Sequence, residues 1–251
     1  MRTQNKKYVT FGILGTIAAF LIIISDIAGG IGEYNGVFWK QFTGMTPIRL
    51  FLSSHMAIYV FPFITFGIIA LYKVLAPSGK IISAIFCLCL WYLTYLMTAA
   101  HAGYPYIVYL ANYNSQQAEN LQINEILNMF SHNISIHLVV LYALALVASL
   151  GILILVITGK TMLKRWMSLC NPIVTIALSV VIGMISPVWG KYYGTCCPMV
   201  GLFLLFLCTS NDTAVIASLN CNASCCLSFR LLFFEFSLIY RYNHGLISIE
   251  K

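Results

Sequence analysis

The chain has 251 residues, of which 60% are hydrophobic and 8% charged, against about 25% charged and about 45–50% apolar residues in an ordinary soluble domain. So few charges exclude a water-soluble surface, and the partner that composition implies is the lipid bilayer. The formal net charge of +7 comes from basic residues scattered among short loops rather than gathered in a patch, which argues against a nucleic-acid partner.

Several apolar blocks reach the roughly 18–20 residues that cross a hydrocarbon core of about 30 Å. Lipid offers the backbone no hydrogen-bond partners, so each block is expected to be a helix. The first, about Tyr8 to Gly29, follows Arg2, Lys6 and Lys7 and has the look of a signal peptide's basic and apolar regions. Its length favours an uncleaved helix, with cleavage after Ala28 as the alternative. Further blocks run from about Ile48 to Leu75, Lys80 to Ala100, His137 to Thr158, Met167 to Val188 and Gly194 to Ala217. The expected fold is therefore an all-α, polytopic transmembrane bundle of about six spans. Pro62, Pro172 and Pro187 fall in or at the edges of these blocks, where membrane helices tolerate them. Ser210-Asn211-Asp212-Thr213 interrupts the last block.

Orientation follows from the basic residues, which concentrate in cytoplasmic loops. With the N-terminus cytoplasmic, Arg2, Lys6, Lys7, Lys73, Lys80, Lys160, Lys164 and Arg165 lie inside, and only Lys40, Arg49 and Lys191 lie in outer loops. The segment 103–136 has no Lys or Arg and is expected as a long outer loop. Within it Ile123, Ile126, Leu127 and Phe130 recur at helical spacing, which predicts a short helix on the membrane surface. Tyr104, Tyr106, Tyr109, Tyr113, Phe38 and Trp39 suit an interfacial aromatic belt.

No internal repeat and no linker divides the chain. The sequence reads as one transmembrane domain over residues 1–193, with five spans, followed by a sixth span and a tail over 194–251.

Ionisable residues within spans are expensive and suggest function. Asp26 lies near the outer end of the first helix, Glu33 and Arg49 in or beside the first outer loop, and His55 about two turns into the second helix. His101 ends the third helix on the same side, where His132 and His137 precede the fourth. The fifth histidine, His244, is in the tail. Asp26 continues the stripe Gly15, Ala19 and Ile22, whose small residues allow close helix approach, so it should face the bundle. His101 continues Cys87, Trp91, Thr94 and Thr98, while His55 aligns with Tyr59 and Pro62.

These positions define a candidate outward-facing pocket of Asp26, Arg49, His55, Tyr59, Thr98, His101 and His137, able to bind a small polar solute or ion. Histidines beside a carboxylate can relay protons or hold a cation, and Arg49 can grip an anionic group through its planar fork. The alternative is a metal-dependent intramembrane hydrolase in which Asp26, His55, His101 and His137 hold zinc, since catalytic zinc uses three protein ligands and a water. Against both stands the plain reading that these side chains make structural polar contacts. Nine cysteines include no CxxC pair, and Cys87 and Cys89 lie in an apolar run as small hydrophobes, so no disulfide is assigned.

The run from Gly12 through Asp26, the segment Met45-Thr46-Pro47-Ile48-Arg49-Leu50 opening the second helix, and an aromatic-rich and small-residue-rich third helix ending at His101 together resemble a family of small bacterial multipass proteins. That family is the domain of unknown function 6796, and the similarity covers about residues 9–190. The resemblance implies a bacterial plasma-membrane protein and supplies neither an activity nor catalytic residues. After about Tyr193 the pattern is lost, and Cys196, Cys197, Cys208, Cys221, Cys225 and Cys226 crowd a stretch rich in Phe, Leu and Ser. A frameshift and a divergent but genuine sixth helix both account for that composition.

Overall fold

The computed structural model describes residues 2–30, 38–116 and 121–217. Among them the chain is all helical. The α-helices are α1 (Arg2–Gly30), α2 (Pro47–Leu50), α3 (Ala57–Leu75), α4 (Lys80–Gln116), α5 (Leu121–Ile157), α6 (Pro172–Ile185) and α7 (Pro187–Ala217). A π-helical turn, Phe51–Met56, joins α2 to α3, and 3-10 turns occupy Phe38–Phe42, Ala76–Ser78 and Arg165–Cys170. Glu33 and His244 lie outside the described residues.

Among the described residues four segments are long and apolar enough to cross a membrane: Lys6–Gly29, Pro47–Ser78, Lys80–Gln116 and Leu121–Ile157. Two shorter apolar helices, Pro172–Ile185 and Cys196–Asn211, accompany them. α1 packs most extensively on α7 and then on α3. Small residues permit this approach, because a side chain at Gly15 would run into the backbone of Gly67, and the Phe206 ring lies against both glycines. Ala18, Ala19, Ile22 and Ile23 of α1 are buried in the same core with Phe61, Ile64 and Ile68 of α3 and Leu202, Leu205 and Phe206 of α7. Close approach of small residues of this kind is how helices pack together in lipid, where no hydrophobic drive acts between them.

One end of the bundle gathers the cations. The Lys73 ammonium lies 5.6 Å from the Tyr8 ring centroid, and the Met162 N–H donates to the Val74 carbonyl at 2.9 Å. These contacts bring the loop that carries Lys160, Lys164 and Arg165 beside the start of α1 and the α3–α4 turn.

The segment 103–136, expected as a long loop with a short surface helix, is helical to Gln116 and again from Leu121. At 37 residues each, α4 and α5 are about 55 Å long at 1.5 Å per residue, well beyond a hydrocarbon core of about 30 Å. Their far halves form a hairpin around Ile107, Val108, Ala111 and Leu127, closed by Trp39, Phe42 and Met45. Asparagines stitch it: Trp39 Nε1–H donates to Asn128 Oδ1 at 3.1 Å, Gly44 N–H to Asn112 Oδ1 at 2.7 Å, and Asn114 Nδ2 to Asn124 Oδ1 at 2.7 Å. These asparagines lower the hydropathy of the segment without ending either helix.

The fifth block also starts later than expected as an α-helix. Asn171 caps α6, its Oδ1 accepting from Ile173 N–H, and Pro172 takes the first helical position. This pairing favours a helix start and leaves Arg165–Cys170 as a separate 3-10 turn. Asn171 is buried, and its Nδ2 donates to the Ser149 carbonyl at 3.0 Å. α6 therefore begins about 12 Å inward from the Ile157 end of α5, judged by the helical rise.

Candidate functional site

Asp26 ends its stripe against α4, where its Oδ1 lies 3.4 Å from His101 Nε2, and the two side chains are 8% and 3% exposed. The other imidazole nitrogen, Nδ1, meets the carbonyl of Ser53. A carbonyl only accepts, so Nδ1 carries the hydrogen. The Ser25 hydroxyl donates to that same carbonyl at 3.0 Å. Ser53 belongs to the π turn, where the Ala57 N–H bonds to the Ser54 carbonyl while the Ser53 carbonyl takes these two side-chain donors. Single π turns in helices are frequent at functional sites.

Aromatic rings enclose the imidazole. The Phe61 and Tyr104 ring centroids lie 5.5 and 4.9 Å from that of His101, and Phe42 lies 5.2 Å from Tyr104. Ring faces are favourable neighbours for a positively charged group.

The pair borders a cavity of about 240 Å³, lined by residues of α1, α4, α5, α6 and α7 and by Phe42. That is far more than the roughly 10–15 Å³ a single water needs. Leu90, Leu93, Leu141, Ala145 and Leu202 make most of its wall apolar, whereas Asp26, His101, Tyr104 and Tyr142 gather at one end. Ser149 lines it farther along α5. The Ser149 hydroxyl is buried without a hydrogen-bond partner, although its own carbonyl is held by Asn171. A buried polar group left unpaired costs free energy, on the order of 1–3 kcal/mol for a hydroxyl.

The remaining sequence-predicted positions do not join this centre. Arg49 donates through Nε and Nη2 to the Ala28 carbonyl, each at 3.3 Å, so its fork closes the C-terminal end of α1, where cations are favoured. His55 is exposed, in contact with Ser54 Oγ at 3.0 Å and stacked on Phe51. Tyr59 is 68% exposed and Pro62 is exposed as well. The stripe of His55, Tyr59 and Pro62 is thus exposed along its length. Thr98 is satisfied on its own helix by the Thr94 carbonyl at 2.8 Å. His137 is exposed and donates to the Asn133 carbonyl at 2.7 Å. The convergence of Asp26, His55, His101 and His137 expected for zinc is not met, and among the described residues no three His, Cys, Asp or Glu side chains could share a metal ion.

Sequence reasoning missed Tyr142 and Ser149. Leu138, Tyr142, Ala145, Ser149 and Ile152 recur at intervals of four, three, four and three on α5, a stripe that is buried at Ala145, Ser149 and Ile152 and includes Tyr142, which borders the cavity while 54% exposed. The role of the Ser53 carbonyl left no comparable signal, since it depends on a local change of helix type.

The chain belongs to the Family of unknown function (DUF6796), which matches residues 1–216. The match runs through α7, past the Tyr193 limit that sequence reading set for the family pattern. Within this stretch Cys196, Cys197, Leu202, Phe206 and Cys208 are buried in the core. No curated protein and no solved structure matches the chain.

Proposed function

We propose that this protein crosses the bacterial plasma membrane six times with its N-terminus in the cytoplasm and binds a small solute in a cavity that faces outward. Four long apolar helices, two shorter ones and the clustering of Lys73, Lys160, Lys164 and Arg165 at the end where α1 starts support the topology. The observation that carries the solute reading is the Asp26–His101 pair, buried at the polar end of an otherwise apolar cavity of about 240 Å³. Ionisable groups within a membrane bundle are retained at substantial cost, and small-molecule sites combine apolar walls with a few convergent polar groups. Among the described residues no three His, Cys, Asp or Glu side chains could share a metal ion, which favours the solute reading over the zinc-hydrolase one.

The test is a thermal-shift screen of the purified protein in detergent against small amines, alcohols and acids. At least one class should raise the midpoint in the native chain. Ala145→Phe, which fills the cavity, should abolish that shift while leaving a cooperative transition. A shift that survives Ala145→Phe would place binding elsewhere, and a screen with no stabilising class would overturn the reading.

A further inference from the structure

Resting on the solute-binding reading, we infer that the Asp26–His101 pair holds one exchangeable proton, which a lipophilic organic ammonium ion displaces one for one on entering the cavity.

The proton count comes from geometry. His101 Nδ1 must donate, because its partner is the Ser53 carbonyl. Nε2 faces Asp26 Oδ1 at 3.4 Å. If neither atom carried a hydrogen, a lone pair would face a carboxylate and the contact would be repulsive. One proton between them gives either a carboxylic acid donating to imidazole or a carboxylate beside imidazolium. The pair is electrically neutral in both forms.

Removing that proton leaves a single negative charge in the apolar bundle, an unfavourable state unless another cation takes its place. Among the described residues no Lys or Arg lines the cavity. Among the described residues the other titratable groups that interact electrostatically with Asp26 are the Tyr104 phenol from α4, the Tyr142 phenol from α5 and the Cys196 and Cys197 thiols from α7. Arg49, from the turn that precedes α3, is held by the Ala28 carbonyl. An incoming cation is thus the natural substitute.

The cavity's chemistry selects the kind of cation. Calcium or magnesium needs about six or more oxygen ligands, and the polar end offers few oxygens beyond the Asp26 carboxylate and two phenols. An alkylammonium needs no such shell. Its charge can sit between the Asp26 carboxylate and the Tyr104 and Tyr142 rings, with its apolar body against Leu90, Leu93 and Leu141. The exchange balances as follows: the protonated pair and the free ammonium ion give an Asp26 carboxylate–ammonium pair, a neutral His101 that keeps its Nδ1 hydrogen on Ser53, and one proton released to solvent.

The experiment is calorimetric titration of the full chain in detergent with benzyltrimethylammonium chloride, run in phosphate and in MOPS at one pH. The buffer dependence of the heat counts protons, and about one should be released per cation bound. Neopentylbenzene, the uncharged carbon isostere, should bind with no proton release. Asp26→Asn should weaken the cation about tenfold or more and leave the isostere unaffected, which also verifies its fold. Should Asp26→Asn fail to fold, the proton count on the native chain decides alone. Cation binding without proton release would overturn the exchange, and isostere binding without cation binding would overturn the ligand class; both leave the cavity reading standing. Failure of both probes would count against the cavity reading as well.

Discussion

The Asp26 carboxylate on α1 and the His101 imidazole on α4 meet at 3.4 Å, both almost wholly withdrawn from solvent. Removing one member of a buried ionic or hydrogen-bonded pair strands the other, at a cost of about 3–5 kcal/mol. Asp26→Ala and His101→Ala should each destabilise the protein by that order, and the double variant by clearly less than their sum. Denaturant unfolding in a constant detergent background measures the cycle. Additive losses would show that the two side chains do not depend on each other.

Arg49 makes a different contribution from the one its position suggested. Its fork closes on the Ala28 carbonyl, one of the acceptors a helix end leaves without an intrahelical donor. Arg49→Ala should cost about 1–2 kcal/mol and speed amide exchange in the last turn of α1, with ammonium binding largely kept. A loss of binding with unchanged exchange would make Arg49 a ligand group instead.

Gly15 and Gly103 should respond oppositely to alanine. A methyl at Gly15 would collide with the Gly67 backbone, whereas one at Gly103 meets nothing within 4 Å. Overpacking costs about 1–3 kcal/mol, while an unhindered glycine-to-alanine change inside a helix gains about 0.5–1 kcal/mol. Gly15→Ala should therefore lower the thermal midpoint and Gly103→Ala should raise it slightly. Equal responses would deny the close α1–α3 approach.

The topology can be tested from two exposed positions. Gln116→Cys at the hairpin tip and Lys160→Cys beside the basic end, each in a cysteine-free background, should react from opposite sides of the membrane. A membrane-impermeant maleimide applied to intact cells should label the first and spare the second. The reverse pattern would invert the orientation.

How much of this was legible follows from the kind of signal each feature leaves. The α1 stripe was readable because Gly15, Ala19, Ile22 and Asp26 keep one helical phase, and small residues mark where helices touch. The α4–α5 hairpin was misread because Asn112, Asn114, Asn124 and Asn128 lower hydropathy without breaking a helix. At sequence level His55 and His101 looked alike, two histidines near one membrane face. Their fates diverge at the π turn, where His55 is exposed and the Ser53 carbonyl meets His101. No residue pattern encodes that choice, since it depends on α1 and α4 both supplying donors to one carbonyl.

Asn171 and Ser149 give the prediction that best separates architecture from function. Asn171 Oδ1 caps α6 while its Nδ2 holds the Ser149 carbonyl. Asn171→Asp keeps a capping oxygen, and at a simple cap this change would be neutral or slightly favourable. Here it removes a donor from a buried carbonyl and sets a carboxylate against it, so a loss of about 1–3 kcal/mol is expected. Ser149→Ala should act in the other direction. It deletes a hydroxyl buried without a partner, so the ligand-free protein should be unchanged or stabilised by up to about 1 kcal/mol. If that hydroxyl serves a solute in the cavity, the same variant should weaken binding of an alcohol found in the solute screen. Thermal midpoints with and without that solute separate the two effects. A Ser149→Ala protein that is more stable and binds as well as the native chain would confine the cavity's chemistry to the Asp26 end.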